Sequence, residues 1–138
     1  MRKLKLDELN RVDIKEFKAQ EKLPVVVVLD NVRSMHNVGS VFRTADGFSI
    51  EKVVLCGITA QPPHREIEKT ALGATQSVEW EHIDDTLVAI EKYRELGYQI
   101  IAIEQVGHGH TPDTDAPFSY FRMAKDTADL LRSLNISN

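Results

Sequence analysis

Asn37, Gly39 and Arg43 are the residues whose types and spacing in this sequence most readily support chemistry. They sit in the segment Asp30-Asn31-Val32-Arg33-Ser34-Met35-His36-Asn37-Val38-Gly39-Ser40-Val41-Phe42-Arg43-Thr44-Ala45-Asp46, directly after the apolar run Val25-Val26-Val27-Val28-Leu29. Val38, Val41, Phe42 and Ala45 stand at i, i+3, i+4 and i+7, the buried stripe of a helix that starts near Asn37, with Asn37 as its N-cap. Gly39 and Arg43 are four apart and share another face, where the missing side chain of Gly39 lets a second group come close and leaves Arg43 room to reach it. One reading is a guanidinium aimed at an anion or a reacting oxygen. The other makes Arg43 an ordinary surface residue and Asn37 only a cap. The segment has one glycine where the dinucleotide fingerprint and the P-loop need two or three, so neither motif is present.

The elements that must position these residues alternate in type. The run at 25–29 is β-branched, apolar on both faces and too short for a helix, which is how a central parallel strand reads. Val53-Val54-Leu55-Cys56, stopped by Gly57, and Tyr98-Gln99-Ile100-Ile101-Ala102-Ile103, stopped by Glu104-Gln105, are two more predicted strands, and Ser77-Val78-Glu79-Trp80 is a weaker one. Residues 85–96 carry the clearest helical pattern, with Asp84 and Asp85 at the start, Leu87, Ile90 and Leu96 on one side, and Gly97 as the stop. Strand alternating with helix predicts an α/β fold, with a mainly parallel sheet covered by helices on both faces and a ligand site at the carboxyl ends of the strands. A further helix is predicted from about Tyr120 to Leu131.

Composition sets the outer bounds. A chain of 138 residues, 42% hydrophobic and 28% charged, suits one soluble domain with an apolar core that needs no disulfide or metal staple. One cysteine cannot form an internal disulfide, and no apolar run approaches the roughly 18 residues of a membrane span, so the expected location is the cytoplasm and no membrane partner is expected. Net charge is −4, which by itself argues against a phosphate-rich partner. The average hides an asymmetry: residues 1–22 hold seven basic and five acidic groups, whereas residues 61–138 hold seven and thirteen. RNA contact through a basic helical segment at 1–22 is compatible with that pattern, as is a simple solvated helix.

Several other groups have plainer explanations. His108 and His110 beside Asp113 and Asp115 lack a spaced second cluster, so a solvated loop is expected there and no metal. Cys56 reads as a small buried apolar residue. Glu81, Asp84 and Asp85 suit the start of a helix, where carboxylates complement the dipole. Pro62-Pro63-His64 shapes a turn, and Glu104 and Gln105 end the third predicted strand on the same rim as Asp30.

Taken together, these residues resemble the SpoU (TrmH-like) branch of the SPOUT RNA methyltransferases. The resemblance rests on Leu29-Asp30-Asn31, then Asn37-Val38-Gly39-Ser40-Val41-Phe42-Arg43-Thr44-Ala45-Asp46, and continues in order through Val54-Leu55-Cys56-Gly57-Ile58-Thr59, Pro62-Pro63-His64, Lys69-Thr70-Ala71-Leu72-Gly73-Ala74 and Val78-Glu79-Trp80, to about Gln105. It implies transfer of a methyl group from S-adenosylmethionine to a ribose 2′-hydroxyl of tRNA or rRNA. It also implies a homodimer, no metal, Arg43 acting on the hydroxyl and Asn37 supporting the site. A guanidinium stays protonated, so Arg43 suits stabilising a developing alkoxide or orienting a phosphate better than serving alone as a base.

The last third departs from the family. Its Gly-x-Glu-x-x-Gly motif does not occur after Val106, and of its final motif only Ser133-Leu134-Asn135-Ile136-Ser137 is similar, which implies Ser133, Leu134 and Asn135 as cofactor-binding residues. The expected organisation is thus an N-terminal segment at 1–22 and a SpoU-type domain at 23–138, SPOUT-like, with a divergent tail at 106–138 and the C-terminal knot incomplete or absent. Two functions follow from the resemblance: an S-adenosylmethionine-dependent RNA 2′-O-methyltransferase, or a non-catalytic RNA-binding or dimerisation remnant without the cofactor pocket.

Overall fold

In a computed structural model, residues 13–136 are described. The chain divides into two compact units, one running to Tyr98 and the other starting at Gln99. The first holds helix α1 (Ile14–Ala19), strand β1 (Leu23–Asp30), α2 (Met35–Gly47), β2 (Ile50–Cys56), α3 (Arg65–Ala71), α4 (Ala74–Ser77), β3 (Glu79–Ile83) and α5 (Thr86–Glu95). The second holds α6 (Tyr120–Ser133). Of the predicted N-terminal segment, α1 is described and residues 1–12 lie outside the described part.

The three strands form one parallel sheet in the order β1-β2-β3, with Val27 opposite Val53 and Val53 opposite Trp80. Successive side chains on a strand face opposite sides, so β2 serves two cores. Val53 and Leu55 pack with Val38, Phe42 and Ala45 of α2 and with Ile67 and Ala71 of α3. Val54 and Cys56, equally buried, face the other way, where α5 packs on β2 and β3 with Ala89 and Tyr93 inside. Helices therefore cover both faces, as the strand–helix alternation predicts. Full burial of a side chain such as Phe42 or Leu55 stabilises by roughly 1.5–3 kcal/mol, so the central strand and α2 dominate the fold's apolar energy. The buried thiol of Cys56 has its pKa raised, first by loss of solvent, which leaves it the packing role expected of it.

β1 is less well covered. Val25 and Phe48 are exposed, and Val27, Val41, Ala45, Phe48 and Ile50 line an apolar groove of about 330 Å³ beside it.

On the α5 face the sheet carries a polar clamp. Glu81 of β3 accepts hydrogen bonds from Lys92 Nζ at 2.5 Å and Tyr93 Oη at 2.7 Å. Those bonds, Lys92 first, hold the Glu81 carboxyl below its ordinary value of 4.5. A carboxyl lowered in the folded state adds stability that is complete above about pH 4.5 and is lost as pH falls through the folded value. The urea midpoint of Glu81→Gln should therefore lie below that of the parent at pH 7, and the gap should close on acidification to pH 3. A gap independent of pH would show that the clamp acts by packing alone.

The strand predicted at 98–103 is not formed. Residues 98–103 take no regular secondary structure, residues 99–103 belong to the second unit, and Ile101 and Ile103 are exposed. An apolar β-branched run states a propensity, whereas a strand needs a partner edge to bond its backbone. Glu104 and Gln105 consequently end no strand: Glu104 accepts from His110 N at 2.8 Å, and Gln105 Nε2 donates to Thr127 Oγ1 at 3.1 Å. The weaker prediction at 77–80 is shifted, since Ser77 closes α4 and the strand runs from Glu79.

The helix predicted from Tyr120 is α6. Ser119 caps it through Arg122 N at 3.2 Å, and none of its residues is buried. Lys125, Asp129 and Arg132 form ion pairs along its exposed side.

Candidate functional site

The carboxyl ends of the strands are joined by a set of short polar contacts. Asn31, just past β1, adopts a left-handed conformation with φ of 52°. From there its Oδ1 accepts from Ile58 N at 3.1 Å and its Nδ2 donates to Asp30 Oδ1 at 2.7 Å. Gly57, just past β2, is also left-handed, and a Cβ there would sit 2.2 Å from Asn31 Oδ1. Only glycine satisfies both demands. Thr59 is almost wholly buried. Its hydroxyl donates to Leu29 O at 3.0 Å and accepts from Val32 N at 2.9 Å, which ties the loop after β2 to the loop that leads into α2. Asp30 also accepts from Thr86 Oγ1 at 2.6 Å, and His82 Nε2 lies 3.0 Å from Gly57 O. The approach to α2 is thereby fixed from three strands.

α2 begins earlier than the sequence suggests. Ser34 is the N-cap, its Oγ accepting from Asn37 N at 3.3 Å, so Asn37 lies in the first turn. The reason is Met35, which packs against the core one turn before Val38 and extends the buried stripe backwards. With capping done by Ser34, the exposed Asn37 side chain has no such duty. Arg43 is exposed too, and among the described residues it enters no ion pair and no side-chain hydrogen bond.

Gly39 does what its spacing implies. α3 crosses it so closely that a Cβ would fall 2.1 Å from Thr70 Oγ1 and 2.2 Å from Ile67 O. Thr70 Oγ1 also donates to His36 O at 2.9 Å, bonding α3 to the first turn of α2. The same contact brings together residues that the sequence reading passed over. His36 Nε2 lies 3.1 Å from Glu66 Oε2, and Lys69 Nζ donates to both Glu66 oxygens at 2.7 and 2.8 Å. Those lysine bonds, ahead of the His36 contact, hold the Glu66 carboxyl below the usual range. The signal in sequence was weak: His36 and Glu66 are thirty residues apart, and only the helix crossing joins them.

At about 100° per residue, His36 and Arg43 are only about 20° apart around α2 and two turns apart along it, whereas Asn37 and Arg43 are separated by about 120°. The exposed arc of α2 thus presents a paired imidazole, an amide and a guanidinium. Such a surface can bind a phosphate or a hydroxyl.

The remaining candidates have structural work. His64 caps α3, its Nδ1 accepting from Glu66 N at 3.2 Å, and Asp85 caps α5 through Leu87 N at 2.7 Å. His108 Nδ1 lies 3.0 Å from Val106 O. In the second unit, Ser133 Oγ donates to Leu130 O at 2.7 Å, Leu134 is half-exposed, and Asn135 ends α6 with φ of 56°. The small cavity of that unit is lined by Val106, Phe118, Arg122 and Asp126 among others, and not by these three. Ser133, Leu134 and Asn135 stand at the C-terminal end of α6.

The fold has a counterpart among solved structures. The solved structure of the A. aeolicus TrmH/SpoU tRNA modifying enzyme superposes with a TM-score of 0.53 at 20% identity, over 67% of this chain and 50% of that one. Residues 24–131 match the SpoU rRNA Methylase family, and the chain belongs to that family. A Staphylococcus saprophyticus protein whose name places it in the TrmH family of tRNA/rRNA methyltransferases is 30% identical over 91 residues, 66% of this chain and 36% of its own length. The Vibrio parahaemolyticus 23S rRNA (guanosine-2′-O-)-methyltransferase RlmB is 32% identical over 71 residues, 51% of this chain and 29% of its own length. The chain thus spans about a third of the length of these relatives.

Proposed function

We propose that this chain acts in RNA methylation, transferring a methyl group from S-adenosylmethionine to a ribose 2′-hydroxyl of tRNA or rRNA. One observation carries the reading: within a SpoU-family fold, Asn37 and Arg43 stand exposed on the first helix after β1, free of structural duties among the described residues. Arg43 holds a backbone phosphate or the developing alkoxide, and Asn37 orients the ribose. S-adenosylmethionine supplies an electrophilic methyl group when bound. No metal takes part. The working state is a homodimer in the cytoplasm. Among the described residues no helix is long and apolar enough to cross a membrane.

A second reading has its own support. Because Ser133, Leu134 and Asn135 are engaged as a helix terminus, the chain suits a non-catalytic RNA-binding or dimerisation member of the family. Calorimetric titration of S-adenosylmethionine into the purified protein, followed by transfer of labelled methyl to total tRNA and rRNA, separates the two. Saturable micromolar binding, about −8 kcal/mol, together with label in RNA supports the enzyme. RNA binding without cofactor heat or label supports the second reading.

A further inference from the structure

Among the described residues of the first unit, four lysines are paired with carboxylates: Lys18 with Glu79, Lys52 and Lys92 with Glu81, and Lys69 with Glu66. The arginines differ. Arg33, Arg43, Arg65 and Arg94 are exposed and, among the described residues, enter no ion pair and no side-chain hydrogen bond. A guanidinium open to solvent offers a flat fork that takes two oxygens of one phosphate, which an ammonium cannot do.

Arg33 and Arg65 stand on one edge of the fold. β1 and β2 are parallel, so the loops that follow them leave the sheet at the same rim. Arg33 lies in the loop after β1, and Arg65 opens α3 after the loop that follows β2. These loops are bonded to each other, Asn31 Oδ1 accepting from Ile58 N and Thr59 Oγ1 from Val32 N. Both arginines adjoin the first turn of α2, which carries Asn37. Arg33 directly precedes its cap, Ser34, and Arg65 is next to Glu66, whose carboxylate faces His36. Arg94 lies on α5, across the sheet.

The carboxylates of the rim are distributed unequally. Glu66 is held by Lys69, and Glu68 accepts from Thr75 Oγ1 at 2.7 Å. Asp84 and Asp85 follow β3, the strand farthest from β1. A polyanion is therefore favoured over the β1–β2 end of the rim and repelled at the β3 end. With a net charge of −4 the chain as a whole does not draw a polyanion in, so binding depends on local guanidiniums.

We propose that Arg33 and Arg65 form a phosphate-gripping pair that seats the RNA backbone on the β1–β2 end of the rim, beside Asn37. The inference rests on the RNA-substrate part of the reading above. The pair positions the strand and takes no part in the transfer of the methyl group.

Binding of labelled total tRNA and rRNA to the intact chain, measured by filter retention from about 50 to 200 mM salt, tests it. Loss of one phosphate contact flattens the plot of log affinity against log salt by about 0.7–0.9 and weakens binding about five- to eightfold near 0.1 M salt. Arg33→Ala and Arg65→Ala should each show both changes. Arg65→Lys should keep the salt dependence, and Arg94→Ala, which removes the same charge on the other face, should match the parent. Parent-like affinity and salt dependence in either Arg33→Ala or Arg65→Ala overturns the pair. An equal loss in Arg94→Ala overturns it too, because the effect would then be one of net charge. The binding readout needs no methyl transfer. A parent that binds RNA through these arginines but transfers no methyl group counts against the reaction assignment alone, whereas transfer with arginine-independent binding overturns this pair alone. A parent that binds neither RNA overturns both.

Discussion

Arg43→Ala should reduce methyl transfer to RNA by about 10²–10³-fold while leaving the thermal midpoint within a degree or two of the parent. The magnitude is that of removing one preorganised charged donor from a developing oxyanion. The separation of activity from stability follows from the structure: Arg43 is exposed and pairs with nothing among the described residues, so its loss opens no cavity and orphans no partner. Arg43→Lys should recover only part of the loss, because an ammonium restores the charge but not the planar fork that grips two phosphate oxygens. Rates of single-turnover transfer at saturating RNA, with far-UV circular dichroism as the control for folding, provide the check. Unchanged transfer by Arg43→Ala would remove Arg43 from the site.

Gly39→Ala should have the largest effect on stability, with a sign opposite to the usual one. A glycine within a helix costs about 0.5–1 kcal/mol relative to alanine, so the substitution would ordinarily stabilise. At Gly39 the added methyl meets the Ile67 carbonyl at 2.2 Å, and that is backbone, which cannot swing away as a side-chain tip can. Separating α2 from α3 also stretches the bond from Thr70 to the His36 carbonyl. Overpacking of this kind costs about 1–3 kcal/mol, which for a domain of this size lowers the melting temperature on the order of 10 °C. Gly47→Ala is the internal comparison. It lies at the end of the same helix with open space around it, so it should be neutral or slightly stabilising. Scanning calorimetry of both variants decides; a stabilised Gly39→Ala would mean that the two helices do not meet as described.

What the sequence reveals and what it conceals divide along physical lines. β1, β2 and α2 were legible because each carries its own period, apolar runs for buried strands and the stripe through Val38, Phe42 and Ala45; α5 was legible from its cap at Asp85, but its side was not, since Leu87 and Leu96 are exposed and Ala89 and Tyr93 are the residues it buries. The role of Gly39 as a close-approach point was legible too, although the group that approaches, Thr70, was not. Boundaries were harder. Ser34 and Asn37 both cap helices well, and Met35 decides between them only through its contact with the core, which is tertiary information. The run at 98–103 failed for the same reason, since its apolar residues say nothing of which edge would receive them. The pair of His36 and Glu66 was invisible because its partners meet across two helices rather than along one.

The contact between Asn31 and Gly57 has a practical side for anyone who wishes to transplant this rim to another protein. Each of the two loops is shaped around the other: the amide of Asn31 occupies the space that any side chain at position 57 would need, and it supplies the acceptor for Ile58 N. Thr59 adds a second link in the opposite direction, from the β2 loop back to Leu29 and Val32. A graft of residues 30–43 alone would carry Asn37 and Arg43 without the partner that holds their loop. Any transplant of that stretch must therefore bring residues 57–59 with it, as well as the α3 residues that pack on Gly39.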